Sequence, residues 1–342
     1  MPAPNLSEIV TTTLRNRTGT LQDNMSRNNA LLVRLNRKGK IKPFGGGRTI
    51  VQELNYANNS TFTWYSGYQT ININPSQVFT AAEYPIRQAA LAVSISGLEE
   101  LQNSDDEAII DLLESRVENA EMTFMNGLSN GVYGDGTVTG SITGLQALIA
   151  ASPSTGTVGG IDRASWSFWR NIVYSALTNG GAATNAANIL AYMDSLWVQL
   201  VRGRDMPDLI VADNNMYRFY MQAMQSIQRI QSTSVPDVAE AGFQSLKYIS
   251  SDVVLDGGFQ GIAGDPLPFE TSASTSSVGG APTSTMYFLN TNYLYWRPHS
   301  KRNMVPLDPD RFSINQDAMV RMLGWAGNMT ISNCFLQGLL TT

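Results

Sequence analysis

The chain has one cysteine, Cys334, and one histidine, His299, among its 342 residues. A single cysteine excludes an internal disulfide and a cysteine zinc site, and it suits a reducing compartment. A single histidine excludes a histidine-rich metal site. Charge is also scarce. Asp, Glu, Lys and Arg make up 15 % of the residues, well under the usual quarter, while apolar content is an ordinary 43 %. A chain with so little charge either hides much of its surface or solvates it with Asn, Ser, Thr and Gln. Burial between subunits is one reason to drop charge, because interface cores are depleted in it. No apolar run approaches the roughly 20 residues of a spanning helix. No signal-peptide core lies near the N-terminus, and no internal repeat is found. These absences predict no membrane partner, no metal and no cofactor.

Two absences are local. No charged residue occurs between Leu54 and Ala82, a stretch that contains "NNSTFTWYSGYQTININPS". It is too polar for a membrane span, too poor in acids, bases and metal ligands for an active site, and too aromatic for a linker. No lysine occurs between Lys42 and Lys247.

What charge there is divides unevenly. Residues 1–50 hold nine bases (Arg15, Arg17, Arg27, Arg34, Arg37, Lys38, Lys40, Lys42 and Arg48) against Glu8 and Asp23, a net +7; with −5 overall, the remainder carries −12. A basic arm on an acidic body points to a polyanion or to an acidic face of a neighbour, the plainer alternative being a solvated loop. The first 46 residues are polar and weakly periodic, with a short helix expected around Asn24 to Leu35 and a hinge at Gly45 to Gly47.

From Arg48 to Ser96 the period turns to two. "TFTWY" and "YQTININ" alternate about Ser66-Gly67, which predicts a long hairpin with a tight turn there. "LAVSIS" alternates again. Ser104 to Glu107 form a capping box. Ile109, Leu113, Val117, Ala120, Phe124 and Leu128 then recur on one face, predicting a helix over 105–128 about 36 Å long. Its other face carries Glu107, Asp111, Glu114, Glu118 and Glu121. Such a stripe repels itself by a few tenths of a kcal/mol per pair; solvent tolerates that, and a basic partner would relieve it. An α/β region follows: helices near Ala164 to Leu177 and Ala186 to Val201, a buried strand "DLIVAD", and a helix capped by Asp213 with Met216, Phe219, Tyr220, Ala223, Met224, Ile227 and Ile230 on its face. "KYISSDVVLD" reads as a strand, 271–285 as a surface loop, and the tail as strands.

The best catalytic signal is "GLSNG", Gly127 to Gly131, with Asp252 or Asp256 and His299 following in the Ser-Asp-His order of an α/β-hydrolase. A nucleophile elbow needs a strand before the serine and a helix after it. Here a long helix leads in, so the plainer reading is glycines that end a helix. "GDGTVTG" lacks the ending of a phosphate loop. Asp308 and Asp310 fit turn residues better than a cation site. A Cys334–His299 dyad rests only on single copies of each type, and His299 fits a surface or interface position better.

The order of these parts, with "DNMSRNNALLVRLNRKGKI", "SFWRNIV", "YFLNTNYLYWRPHSKRNM" and "INQDAMVRMLGWAGNMTISN", resembles the major capsid (coat) protein of tailed bacteriophages, with the α+β Hong Kong 97-type fold. The resemblance covers essentially the whole chain. It implies an N-terminal arm (1–46), an extended hairpin or E-loop (47–96), a P-domain with its spine helix (97–150 and 286–342), and an α/β A-domain (151–285). It implies no enzyme but a structural subunit forming hexamers and pentamers of an icosahedral shell around double-stranded DNA, assembled in the host bacterial cytoplasm and located in the virion. Portal protein and a decoration protein are the further partners it suggests. Phe62, Trp64, Tyr65, Tyr68, Ile71 and Ile73 then become interface residues, aromatic and free of charge as interface cores are. Each contact is modest at roughly 25 cal/mol per Å², but many repeated contacts hold a shell. The basic arm would face the interior, meeting DNA or the acidic spine stripe. Some members crosslink through an E-loop lysine, which this hairpin lacks, so no such bond is expected. Only a short arm precedes the hairpin, so a separate scaffolding protein and an uncleaved coat are expected. An encapsulin-type compartment shares the fold, and a hydrolase built on Ser129 is the rival from another class.

Overall fold

A computed structural model describes residues 29–96, 106–226, 245–255, 284–312 and 318–342. Arg15, Arg17, Arg27, Ser104, Ile227, Ile230, Asp256 and most of the 271–285 loop lie outside them.

The first element is helix α1, Ala30–Arg37. Asn29 caps it, its Oδ1 accepting from the N–H groups of Leu31 (3.0 Å) and Leu32 (3.2 Å). The sequence placed a short helix on an exposed arm. Instead Ala30, Leu31, Leu32, Val33 and Leu35 are buried in the subunit's own core. Five apolar residues in six positions cost too much to leave in water.

Strands β1, Thr49–Asn55, and β2, Phe79–Pro85, form the expected antiparallel hairpin, and the register puts Gly67 midway between the paired Asn55 and Phe79. Gly67 has φ +57°, the left-handed conformation a turn there requires. The expected strands nearer the tip do not form: 56–78 is irregular. A two-stranded ribbon with no layer beneath it is marginal. Asn and Thr side chains there also compete for the backbone, as when Asn72 Oδ1 accepts from the Asn74 N–H at 3.1 Å.

Strand β3, Arg87–Ser96, leaves the hairpin. It pairs antiparallel with β13, Ala318–Ile331, from Ser96↔Ala318 to Arg87↔Gly327. On the other side of β13 lie β11, Leu294–Pro298, and β12, Val305–Phe312. Against this sheet packs the long helix α2, Asp106–Tyr133. Its buried residues Val117, Ala120, Phe124 and Leu128 are those the periodicity selected. The glycines expected to end it do not. The helix continues through Gly127 and Gly131, because Val132 and Tyr133 are both fully buried and that burial outweighs the cost of about 1 kcal/mol per glycine.

A second, six-stranded sheet has the order β6-β14-β10-β7-β9-β8. Its strands are β6 (Ile172–Ser175), β7 (Leu209–Ala212), β8 (Ser245–Tyr248), β9 (Ser251–Leu255), β10 (Thr285–Leu289) and β14 (Gly338–Thr341). The tail therefore serves both sheets. Two small strands, β4 (Thr157–Val158) and β5 (Ile161–Asp162), form a separate hairpin. A one-turn helix α3, Leu145–Leu148, follows α2; a similar turn, α4, Ala176–Asn179, follows β6. The expected helix at Ala164 to Leu177 is instead a 3₁₀ turn, β6 and α4, because β6 finds a parallel partner in β14 far along the chain. "KYISSDVVLD" is the hairpin β8–β9, turning at Ile249 and Ser250.

Helices α5, Ile189–Leu200, and α6, Asn214–Ser226, cover one face of this sheet. Asp213 caps α6, Oδ1 accepting from the Met216 N–H at 2.8 Å. Met216, Tyr220 and Ala223 are buried as expected. The other face joins the main core with α1, α2 and the first sheet. Along β7, Ile210 and Ala212 enter the helix-covered core while Leu209 and Val211 enter the main one. A strand buried on both faces needs an unbroken apolar run, and "LIVA" supplies it.

Candidate functional site

The hairpin is anchored at one end and bare at the other. At its root Ile50, Leu54, Ala82 and Tyr84 are buried. The Tyr84 hydroxyl donates to the Ile331 carbonyl (3.3 Å) and accepts from the Ile331 N–H (3.4 Å). The β4–β5 hairpin grips β2 from outside: the Glu83 N–H donates to the Gly159 carbonyl at 2.9 Å. A Cβ on Gly159 would lie 2.8 Å from the Ala82 methyl. Tyr56 then packs its ring on Phe168 and Trp166, with centroids 5.4 and 6.1 Å away.

Beyond Tyr56 the large apolar side chains stand in solvent. Trp64 is 88 % exposed, Ile73 88 % and Phe62 76 %, and Tyr68 is fully exposed; Tyr65 and Ile71 are exposed too. All six residues expected as interface lie here, on one loop. Asn59 ties the two limbs of the loop, its Oδ1 accepting from Thr61 N–H, Thr61 Oγ1 and Ser76 Oγ at 3.0, 2.8 and 3.0 Å. Soluble monomers rarely leave so much contiguous apolar surface bare.

The basic arm divides. Arg34 points into the body, 3.1 Å from Asp208 Oδ2 and 3.6 Å from Asp252 Oδ2. Lys38 Nζ lies 2.9 Å from Asp208 Oδ2, and Lys247 Nζ 3.1 Å from Asp252 Oδ1. Asp208 also accepts from Thr291 N–H and Oγ1, both at 2.7 Å. The expectation that Arg34 and Lys38 serve a polyanion or a neighbour gives way to an intrasubunit lock between α1 and the start of β7. Lys40 and Lys42 instead stand over the Tyr295 ring, each 5.2 Å from its centroid, and Arg37 is exposed. On α2, Glu118 is exposed as expected but Glu121 is buried, so the acidic stripe is not wholly a solvent face. Glu107, Asp111 and Glu114 lie in the first turns of that helix.

The catalytic candidates do not converge on an elbow. Ser129 sits inside α2, buried, and accepts a hydrogen bond from Asn29 Nδ2 at 3.0 Å. Asp252 is held by Arg34 and Lys247. The His299 ring meets the Phe44 ring edge to face at 5.0 Å. One glycine of this region is explained by close approach: a Cβ on Gly144 would lie 2.3 Å from the Gly134 carbonyl oxygen and 2.5 Å from that of Gly131. Cys334 is buried, and burial pushes its thiol up to about 12 against a partial pull downward from Arg163. An open cleft of about 370 Å³ between β3 and α2, floored by Phe124, Leu128, Ile142 and Trp325, has no acid or base in its lining. Among the described residues no cluster of His, Cys, Asp and Glu could hold a metal ion, and no helix is long and apolar enough to cross a membrane.

Capsid subunits of tailed phages share this architecture. Similarity extends over the chain to the cyanophage A-1(L) capsid (TM-score 0.59, 13 % identity, 89 % of this chain and 90 % of that one). It extends likewise to the capsid of Myoviridae phage XM1 (0.53, 11 %, 90 % and 91 %) and to that of a native GTA particle (0.51, 9 %, 90 % and 89 %). The fold is thus that of a viral shell subunit. More narrowly, it is the Hong Kong 97-type fold of tailed-phage major capsid proteins. No family model and no curated protein matches the sequence.

Proposed function

We propose that this chain is the structural subunit that self-assembles into the icosahedral capsid of a tailed bacteriophage and encloses its double-stranded DNA. The observation that carries the reading is the loop at 56–78: charge-free, aromatic and exposed, on a hairpin whose root is locked into the core. In a chain with a shell-building fold, the natural cover for that loop is a second copy. Burying it there removes apolar area from water at roughly 25 cal/mol per Å², and closure multiplies each contact. The hairpin is then the E-loop, α2 the spine of the P-domain, and the six-stranded sheet with α5 and α6 the core of the A-domain. Hexamers and pentamers, a scaffolding protein, a portal and a decoration protein are the partners this role calls for. The assembled protein belongs to the virion, after assembly in the bacterial cytoplasm.

Negative-stain electron microscopy of the purified protein, with the ratio of absorbance at 260 and 280 nm, tests this. Closed shells or tubes are expected, and nucleic acid inside particles from infected cells separates a capsid from an encapsulin-type compartment. Subunits that stay monomeric at high concentration, with or without scaffold, overturn the reading.

A further inference from the structure

The second half of the basic arm runs beside a strand that the sequence does not announce as its neighbour. Residues 40–44 run parallel beside β11, with Ile41 opposite Trp296 and Phe44 opposite His299. Lys42 N–H donates to the Trp296 carbonyl (2.9 Å), Trp296 N–H to that of Lys40 (3.2 Å), and Phe44 N–H to that of Pro298 (3.0 Å). This pairing brings two basic segments together from opposite ends of the chain. Lys40 and Lys42 flank the Tyr295 ring. Arg297 is two residues further along β11, hence on the same side of the strand. His299 follows, and the turn it begins presents Lys301 and Arg302, both exposed.

Residues 29–52, 284–307 and 318–342 contain neither Asp nor Glu. The aspartates that reach α1 from elsewhere, Asp208 and Asp252, are held by Arg34, Lys38 and Lys247. Among the described residues no carboxylate lies within ion-pair distance of Lys40, Lys42, Arg297, Lys301 or Arg302. Five cations gathered by the arm, β11 and the turn after it, with no carboxylate in ion-pair distance among the described residues, in a chain of net charge −5, form an electrostatic footprint and not an average surface.

We infer that this face binds the phosphodiester backbone of double-stranded DNA without reading its sequence. The inference rests on the capsid reading for the identity of the polyanion. A shell of acidic subunits repels the DNA it encloses, and a cationic face on each copy offsets that repulsion. Tyr295 to His299 spans about 13 Å at about 3.3 Å per residue, roughly four nucleotide steps of one strand at about 3.4 Å each. Lys and Arg contacts to phosphate oxygens carry no sequence information.

The test is fluorescence anisotropy of labelled 12-base-pair duplexes of two unrelated sequences, titrated with the full-length unassembled subunit. Five phosphate contacts predict a log–log salt slope near −4.5, about a 500-fold loss of affinity between 50 and 200 mM salt. Both sequences should bind alike. The variant K40Q/K42Q/R297Q/K301Q/R302Q should lose at least about 100-fold at 50 mM salt, while Arg202→Gln with Arg204→Gln and Arg218→Gln, on another part of the surface, should cost far less. If the fivefold variant melts early, Lys301→Gln with Arg302→Gln, both in an exposed turn, should still flatten the slope by about two. Wild-type affinity and slope in either folded variant overturn the inference. So does binding of polyglutamate with no binding of duplex, which would give the face to an acidic protein surface. Shells without DNA binding leave the capsid reading standing and remove this one; DNA binding by a protein that never forms shells does the reverse.

Discussion

Arg34 illustrates how one side chain changes meaning on folding. In the sequence it belongs to a basic run and suggests an external polyanion. In the subunit it is a partly buried clamp on Asp208 and Asp252. Removing one member of a partly buried ion-pair cluster leaves the others uncompensated, at about 1–3 kcal/mol, below the range of a fully buried pair. Arg34→Glu should therefore lower the unfolding free energy of the isolated subunit, read from urea titration, by that order, whereas Lys42→Gln, on the exposed basic face, should change it by less than about 0.5 kcal/mol. Equal effects of the two would refute the clamp. Cys334 makes a second residue-level prediction. Its ordinary value of 9.0 is raised to about 12 in the fold. The folded state holds the proton more tightly, so this group's contribution to stability is full below about pH 9 and falls as pH rises toward 12. Only the thiolate is nucleophilic. Iodoacetamide at pH 8 should leave the native thiol intact and label it promptly in urea; prompt labelling of the native protein would contradict the burial.

Among the elements, the hairpin has two unlike ends. Its root is core and its tip is solvent, so the two ends should answer differently to mutation. Trp64→Ser together with Tyr68→Ser should leave the melting transition of the subunit within about 0.5 kcal/mol of wild type and still prevent or greatly slow shell formation in a sedimentation assay. Normal assembly by that variant would take the interface role away from the loop. The sequence located this element well: period two, a Ser66-Gly67 turn and a missing charge set its centre and its tip. It overstated the strands near the tip, because alternation alone does not supply the second layer a ribbon packs on. For α2 the reverse held. Periodicity found its face, but glycines read as a stop were overridden by the burial of Val132 and Tyr133.

At the scale of the whole molecule, the four-stranded and six-stranded sheets share one main core, with a second core between the six-stranded sheet and its two helices. Its lysine distribution gives a prediction at this scale: with none from residue 43 to 246, the hairpin cannot donate an isopeptide bond. Particles boiled in denaturant should run as intact single subunits, and a ladder of multimers would be evidence against that. The sequence by itself determined the locally periodic parts: the buried faces of α2 and α6, the doubly buried strand Leu209–Ala212, the hairpin centre and the charge-free loop. Those follow from short-range repetition, which encodes which side of an element avoids water. Only the tertiary structure decided that β3 leaves the hairpin for β13, that β14 returns beside β6, that α1 docks inside, and that residues 40–44 lie along β11 to gather the basic face. A strand edge offers the same N–H and C=O groups to any partner, so pairing between distant segments is chosen by the core they share and not by any local pattern along the chain.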